Sequence, residues 1–298
     1  MTWPQQPGPP RRSGSGTGAW VVFGAVAVVV VVFGVTAFVA PGFLRPTRAV
    51  AGVGHVVPGA AAAAPSSDSS VPSDGSVPSA GNGPPASIPS ARTPEPHRSQ
   101  PLADPSSCSY PADPNGPAAK PATPPADGPE PASGTVAVNL ATTAGDIGLT
   151  LDRALAPCTV ASFLTLAKEG FYTGTSCHRL GTTDLQMLQC GDPAGDGTGG
   201  PGFTVPDEFF PELTYGRGLV ALANTGQPTS GGSQFFLMFG DTPIPPTYTV
   251  FGTISDGGLT VLDKVARGGI DTTAAGTYGD GTGKPRIPVT FTAVTAQG

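Results

Sequence analysis

From Thr135 onward the chain is a succession of short apolar runs separated by Gly, Pro, Asp and Thr, and this pattern limits the possible folds more than any other feature. The first two runs, in TVAVNLATTAGDIGLTLD, alternate at period 2 around a Gly-containing turn and predict a β-hairpin. A helical period occurs in two segments, one opened by Pro157 and closed by Gly170, the other GLTVLDKVARGG. Many short strands with two helices predict a mainly β fold, a closed antiparallel barrel of about eight strands, because closure removes exposed strand edges.

Residues 41–134 have a different composition, dominated by Ala, Pro, Ser and Gly. A segment of this kind buries too little apolar surface to offset the entropy lost on ordering. We therefore predict a disordered linker over 41–134 and a folded domain over 135–298. The alternative, a small domain within the linker, lacks any supporting periodicity.

An uncharged apolar run, AWVVFGAVAVVVVVFGVTAFVA, occupies residues 19–40. As a helix it is long enough to cross the hydrocarbon core of a membrane, so it predicts a transmembrane span. The alternative is a cleaved signal peptide, since VTA near its end resembles a cleavage site, but secretory apolar regions are usually about 7–15 residues long. Arg11 and Arg12 before the span nearly balance Arg45 and Arg48 after it, so charge alone does not orient it.

Composition excludes several functions. With 15 Lys and Arg against 21 Asp and Glu, the chain repels phosphate backbones, which argues against nucleic acid as a partner. No C-x-x-C pair accompanies His178, the one histidine of the predicted domain, so no metal site is expected. Ser233 lacks the G-x-S-x-G context of a hydrolase nucleophile, and no phosphate-binding loop is flanked by a strand and a helix.

The four cysteines are Cys108, Cys158, Cys177 and Cys190. An even number fits an oxidising compartment, and of the three possible pairings we favour Cys177–Cys190 with Cys108–Cys158, because a hairpin would bring the first pair together. Disulfides favour a single-pass plasma-membrane protein whose C-terminal domain is outside the cytoplasm. The predicted parts are a cytoplasmic N-terminus at 1–18, a transmembrane helix at 19–40, a linker at 41–134 and the folded domain at 135–298.

Several of the predicted strands pair an amide with a large apolar side chain. Because alternate residues of a strand share a face, Met187 points with Gln189, and Gln234 points with Phe236. An amide beside an apolar pocket suits a peptide, since the amide holds the backbone and the pocket takes a side chain. These segments also include Arg179.

Taken in order, HRL, LQ-CGD, GDGTGGPGF, DEF, GLVALAN, GGSQFF and YTVFG resemble the signature blocks of the cyclophilin family of peptidyl-prolyl cis-trans isomerases. The resemblance covers roughly Thr135 to Val294, and the span, linker and cysteines resemble membrane-anchored actinobacterial members. It implies an eight-stranded antiparallel barrel capped by two helices, with Arg179 as the catalytic residue. The implied substrate-binding residues are Met187, Gln189, Ala223, Asn224, Gln234, Phe236, Ile244 and Tyr248.

This sequence departs from the family pattern at several of the site positions. Gln186 stands in place of a pocket phenylalanine, Pro243 in place of a tryptophan and Tyr248 in place of a histidine, and the stretch from Arg179 to Met187 is two residues longer than in short members. The resemblance implies cyclosporin as a ligand, without the contacts that the tryptophan makes.

The resemblance predicts catalysis of X–Pro bond rotation in exported, unfolded proteins or proline-containing peptides, without a cofactor. Twisting the bond breaks amide resonance at a cost near 18–20 kcal/mol, and a permanently charged guanidinium at Arg179 stabilises the twisted state by donating to the prolyl nitrogen. The alternative is a weakly active module that binds proline-containing segments of envelope proteins. A third reading is a structural wall protein in which the linker is the important part.

Overall fold

The computed structural model describes residues 87–297 except 115, 274, 275 and 279. The predicted transmembrane helix, the N-terminus before it and the first half of the predicted linker lie outside the described residues. Within the part that is described, no helix is long and apolar enough to cross a membrane.

The described chain is mainly β, with two helices. In chain order the elements are β1 (Ser106–Cys108), β2 (Gly128–Glu130), β3 (Thr135–Thr142), β4 (Ile147–Asp152), α1 (Pro157–Lys168), β5 (Arg179–Gly181), β6 (Met187–Cys190), β7 (Leu219–Leu222), β8 (Phe235–Met238), β9 (Val250–Ile254), α2 (Asp256–Gly268), β10 (Thr282–Gly283) and β11 (Phe291–Gln297). The predicted hairpin is β3 and β4, and both predicted helices form.

One curled antiparallel sheet carries nine of these strands, in the order β10-β5-β6-β8-β7-β9-β4-β3-β11. The expectation of eight strands is therefore wrong: the sheet has one more strand, the short β10, which lies beside β5. Backbone hydrogen bonds also join the segments that precede β5 and β11: Ser176 pairs with Thr290, and the amide of Cys177 donates to the carbonyl of Val289 at 2.8 Å. The segment before β11 is thereby linked to the sheet next to the strand that begins with Arg179.

The core lies between the concave face of the sheet and the two helices. Phe163 of α1 packs its ring on Phe235 and Phe251, with centroids 5.5 and 5.7 Å apart. Helix α2 begins after Ser255, whose hydroxyl accepts from the amide of Gly258, as expected of an N-cap serine. Its buried Leu259, Leu262 and Val265 recur at the helical period, which explains why this helix was predictable.

The prediction of a disordered linker is wrong for residues 87–134, here called the arm, which are packed against the domain. Within the arm, β1 pairs with β2 in a separate two-stranded sheet. Arg98 donates to the carbonyl of Leu155 at 2.8 Å, and the hydroxyl of Tyr110 donates to the carbonyl of Cys158 at 3.0 Å. Such side-chain hydrogen bonds to distant backbone groups leave no periodicity in the sequence, so composition alone could not predict them.

Both favoured disulfides form. Cys108–Cys158 ties the arm to the first turn of α1, with Cα atoms 5.4 Å apart. Cys177–Cys190 joins the segment before β5 to the end of β6, with Cα atoms 4.0 Å apart. The second bridge therefore holds together the two strands that carry Arg179 and Gln189.

Candidate active site

Strand register places the central side chains of the site in one row. Arg179 of β5 lies opposite Gln189 of β6, and Gln189 lies opposite Phe236 of β8. Residues directly opposite one another on neighbouring strands point to the same face of a sheet. Met187, two residues before Gln189 on the same strand, shares that face. The predicted alternation of amide and apolar side chains is therefore present in the fold.

A chain of hydrogen bonds connects the polar groups of this row. The Nη1 of Arg179 donates to the side-chain oxygen of Gln189 at 3.1 Å, and the Nε2 of Gln189 donates to the side-chain oxygen of Gln234 at 2.8 Å. The Nε2 of Gln234 then donates to the carbonyls of Gly197 and Gly199, each at 2.9 Å. Each amide therefore has a fixed orientation, because its oxygen accepts and its nitrogen donates.

The guanidinium of Arg179 has further partners on the segment that precedes and begins β10. Its Nε donates to the hydroxyl of Thr282 at 2.8 Å, and its Nη2 donates to the carboxylate of Asp280 at 2.7 Å. The Arg179 side chain is 22% exposed, so the guanidinium reaches solvent at the edge of the row. Of its five N–H groups, three are used by Gln189, Asp280 and Thr282, and two remain for a ligand.

The apolar side of the site is formed by Met187, Phe236 and Tyr248. Met187 and Phe236 are buried, and the ring of Tyr248 stands nearly edge-on to that of Phe236, with centroids 5.5 Å apart. The hydroxyl of Tyr215 donates to the carbonyl of Tyr248 and accepts from its amide, at 2.8 and 3.0 Å. Ile244 is half-buried against the same core. This arrangement gives an apolar wall next to the row of amides.

The remaining predicted residues connect β7 to neighbouring segments. The amide of Ala223 donates to the carbonyl of Gln234 at 2.9 Å. The side chain of Asn224 donates from Nδ2 to the carbonyl of Thr247 at 2.7 Å and accepts from the amide of Gly226 at 3.0 Å. Asn224 thus holds the loop after β7 against the segment that carries Tyr248.

A cavity of about 310 Å³ adjoins the row of amides and extends the site. Gln189, Ala223, Asn224 and Gln234 all contribute to its lining, so four predicted site residues meet there. Asp113 of the arm also lines it. The arm reaches this position because Ala112 pairs with Phe203 and the amide of Asp113 donates to the carbonyl of Gly202.

His178 and Gln186 lie beside the site residues in sequence and serve the framework. His178 is buried, and this burial lowers the pKa of its imidazole. Gln186 is also buried, and its side chain accepts from the amide of Asp241 at 2.9 Å and donates to the carbonyl of Ser87 at 3.2 Å. Gln186 therefore holds backbone segments together.

Sequence reasoning missed three residues that contact the site: Tyr215, Asp280 and Thr282. A signal for the last two was present, because the pentapeptide GDGTG occurs twice, at 195–199 and at 279–283. In both copies the aspartate accepts from the amide and the hydroxyl of the threonine two residues later. The first copy supplies the carbonyls that hold Gln234, and the second copy supplies the groups that hold Arg179.

Residues 137–294 match the family model described as cyclophilin type peptidyl-prolyl cis-trans isomerase/CLD, and the chain belongs to this family. A "Probable peptidyl-prolyl cis-trans isomerase B" of Mycobacterium tuberculosis is 46% identical over an aligned length of 201 residues, and the match covers 63% of this chain and 63% of that protein. A "Peptidyl-prolyl cis-trans isomerase" of Helicobacter pylori is 43% identical over 139 residues, 46% of this chain and 83% of that protein.

The chain therefore spans less than two thirds of the length of the mycobacterial relative. A solved cyclophilin type peptidyl-prolyl cis-trans isomerase of Cryptosporidium parvum has 27% sequence identity to the chain and a TM-score of 0.47, covering 55% of this chain and 99% of the other.

Proposed function

We propose that the protein is a peptidyl-prolyl cis-trans isomerase whose catalytic residue is Arg179. The observation that carries the proposal is the row formed by Arg179, Gln189 and Phe236 across β5, β6 and β8. It places a fixed cation, an amide and an apolar ring on one face, which are the groups that a prolyl peptide needs. Membership of the isomerase family supports the same assignment.

In this mechanism the protein holds one side of the X–Pro bond while the other side rotates. Met187, Phe236 and Tyr248 receive the proline ring, and Gln189 with Asn224 hold the flanking backbone. A free N–H of Arg179 donates to the prolyl nitrogen as it becomes pyramidal, so the interaction is strongest in the twisted state and lowers the barrier. No nucleophile or cofactor takes part, because no covalent bond is broken.

A protease-coupled isomerisation assay with a proline tetrapeptide tests this proposal. We expect Arg179→Ala to lower kcat/KM by about 100-fold or more, since it removes the donor that acts in the transition state. Arg179→Lys keeps the charge but not the planar set of donors, so it restores only part of the rate. Equal rates for the wild type and Arg179→Ala would leave a proline-binding module as the remaining interpretation.

A binding module with little turnover is the second candidate, and the residue at position 186 favours it. Gln186 stands where the family pattern has an apolar pocket residue, so the depth of the pocket differs from that pattern. In that case a proline peptide binds, for example by fluorescence titration, while the isomerisation rate stays at the uncatalysed value.

We further propose that the substrates are exported, unfolded proteins and that the domain acts outside the plasma membrane, anchored by residues 19–40. Two disulfides support an oxidising compartment, because thiols are kept reduced in the cytoplasm. Mass spectrometry of the mature chain under non-reducing conditions tests both points. Free thiols would contradict the location, and a chain that starts after residue 40 would contradict the anchor.

A further inference from the structure

We propose that the second GDGTG turn is a positioning device for the catalytic arginine, in which Asp280 and Thr282 orient the guanidinium of Arg179 for the prolyl nitrogen. This inference rests on the proposed isomerase function and extends it to residues outside the row of groove side chains. Asp280 and Thr282 act through Arg179, so they are positioning residues and not catalytic ones.

The geometry of the three contacts fixes the plane of the guanidinium. Thr282 accepts from Nε at 2.8 Å, Asp280 accepts from Nη2 at 2.7 Å and Gln189 accepts from Nη1 at 3.1 Å. A planar group held at all three nitrogens cannot rotate about its long axis without breaking at least two hydrogen bonds. The two N–H groups that remain, one on Nη1 and one on Nη2, therefore point in fixed directions.

The turn is itself pre-formed, which makes it a suitable support. The Oδ1 of Asp280 accepts from the amide of Thr282 at 3.0 Å and from its hydroxyl, and this leaves Oδ2 for Arg179. The same hydroxyl of Thr282 accepts from Nε of Arg179, so each residue uses one atom for the turn and one for the arginine. Thr282 is buried, and its strand β10 pairs with β5, which carries Arg179.

Fixing the donor in advance matters because rate depends steeply on alignment. A catalytic group that must find its orientation after substrate binding loses part of the binding energy to ordering, and a misplacement of about 1 Å can cost as much as 100-fold in rate. Gln189 alone would leave the long arginine side chain with one contact. The second GDGTG turn supplies the other two.

The first GDGTG turn offers a matched control for the test. Asp196 accepts from the amide and hydroxyl of Thr198 at 2.9 and 2.6 Å, as Asp280 does from Thr282, but it makes no contact with Arg179. In both turns an asparagine keeps the oxygen that accepts from threonine. Asp280→Asn therefore removes the contact with Arg179 and preserves the turn. Asp196→Asn removes an equal charge but preserves its own turn and every contact of Arg179.

The experiment measures kcat and KM of the full chain with a proline tetrapeptide for Asp280→Asn, Thr282→Val and Asp196→Asn. We expect kcat to fall about tenfold in the first two variants with KM within about twofold, because alignment affects the twisted state more than binding. Asp196→Asn is expected to retain kcat within about twofold. Wild-type kcat in Asp280→Asn would overturn the proposal, and so would an equal loss in Asp280→Asn and Asp196→Asn.

A double-mutant cycle separates positioning from a general structural role. If Asp280 acts through Arg179, Asp280→Asn has no effect on the residual rate of an Arg179→Ala protein, whereas a structural effect persists in that background. An undiminished effect there overturns the proposal.

The Nε–H signal of Arg179 in a ¹H–¹⁵N correlation spectrum gives a readout that does not require activity. It should be slow to exchange in the wild type and fast in Thr282→Val, which removes the acceptor of that N–H. If Arg179→Ala alone keeps the wild-type rate, the isomerase assignment fails, while the NMR result still reports on the positioning.

Discussion

The side-chain amide of Gln189 donates a 2.8 Å hydrogen bond to that of Gln234, while its oxygen accepts from Arg179. Gln189 is largely buried and lines the cavity beside the row of amides. One glutamine thus sets the orientation of the Arg179 guanidinium on one side and of a second amide on the other.

Replacing Gln189 by alanine tests whether this central position matters for the reaction. We expect kcat/KM of Gln189→Ala to fall about tenfold or more, because Arg179 loses one of its three partners and the substrate backbone loses its hydrogen-bonding group. The protease-coupled assay measures the change. Gln227→Ala, an exposed glutamine of the loop after β7, serves as the control and should retain the wild-type rate. A Gln189→Ala protein with unchanged kcat/KM would show that the row of amides is dispensable.

Tyr248 offers a different test, because its ring contacts Phe236 while its backbone is held by Tyr215. The backbone contacts survive substitution, so Tyr248→Ala removes only the wall of the groove. We expect KM to rise several-fold with a smaller change in kcat, since the wall binds the ground state and the twisted state alike. Tyr248→Phe keeps the ring and should behave as the wild type. A loss confined to kcat would argue against a binding role.

The row of site residues was predictable because it depends on local alternation and on ordered motifs. Met187 and Gln189 are two residues apart on one strand, and the register of β5, β6 and β8 then brings Arg179 and Phe236 to them. The partners of Arg179 on the second GDGTG turn were not predictable in this way. Asp280 is 101 residues from Arg179, and their contact is set by the pairing of β10 with β5.

The arm was missed for a related reason. Its order depends on one disulfide and on side chains such as Arg98 and Lys120 that donate to backbone carbonyls of the domain. The Nζ of Lys120 donates to the carbonyls of Gly170 and Phe171 at 3.0 and 2.7 Å. A segment held by such contacts needs neither a helical nor a strand period, so its composition resembles that of a disordered linker. The predicted domain boundary at Thr135 is therefore too late for the folded unit.

The Cys108–Cys158 bridge should accordingly contribute to the stability of the domain. Its sequence separation is 50 residues, against 13 for Cys177–Cys190. In the chain-entropy model, replacing both cysteines by serine lowers the unfolding free energy by about 4 kcal/mol for the first pair and about 3 kcal/mol for the second.

Urea unfolding followed by far-ultraviolet circular dichroism measures both changes under non-reducing conditions. The wild type treated with a reductant is the control and should lose at least as much stability as either variant. If the Cys108 and Cys158 variant is as stable as the wild type, the bridge does not contribute to the stability of the domain.

The partly buried carboxylate of Glu208 caps α1 from a distant segment, because Ala156 at the start of the helix has no side-chain cap of its own. Its two oxygens accept from the amides of Cys158 and Thr159, at 2.9 and 2.8 Å. Glu208→Ala removes both acceptor oxygens, so two amides of the first turn lose their partner. We expect a loss of about 1–3 kcal/mol in unfolding free energy. Glu212→Ala, at an exposed position nearby, should change little.

The pH dependence of this loss identifies which force dominates at Glu208. Burial raises the pKa of its carboxyl, and the hydrogen bonds from Cys158 and Thr159 oppose the rise without cancelling it. A pKa that is higher in the folded state stabilises the fold below the ordinary glutamate pKa, and this contribution disappears as pH rises through the folded value. The stability gap between the wild type and Glu208→Ala should therefore widen when urea unfolding is repeated at falling pH, from about 7 to about 4. A gap that narrows on acidification would mean that the helix-capping hydrogen bonds outweigh burial and hold the folded pKa below the unfolded one.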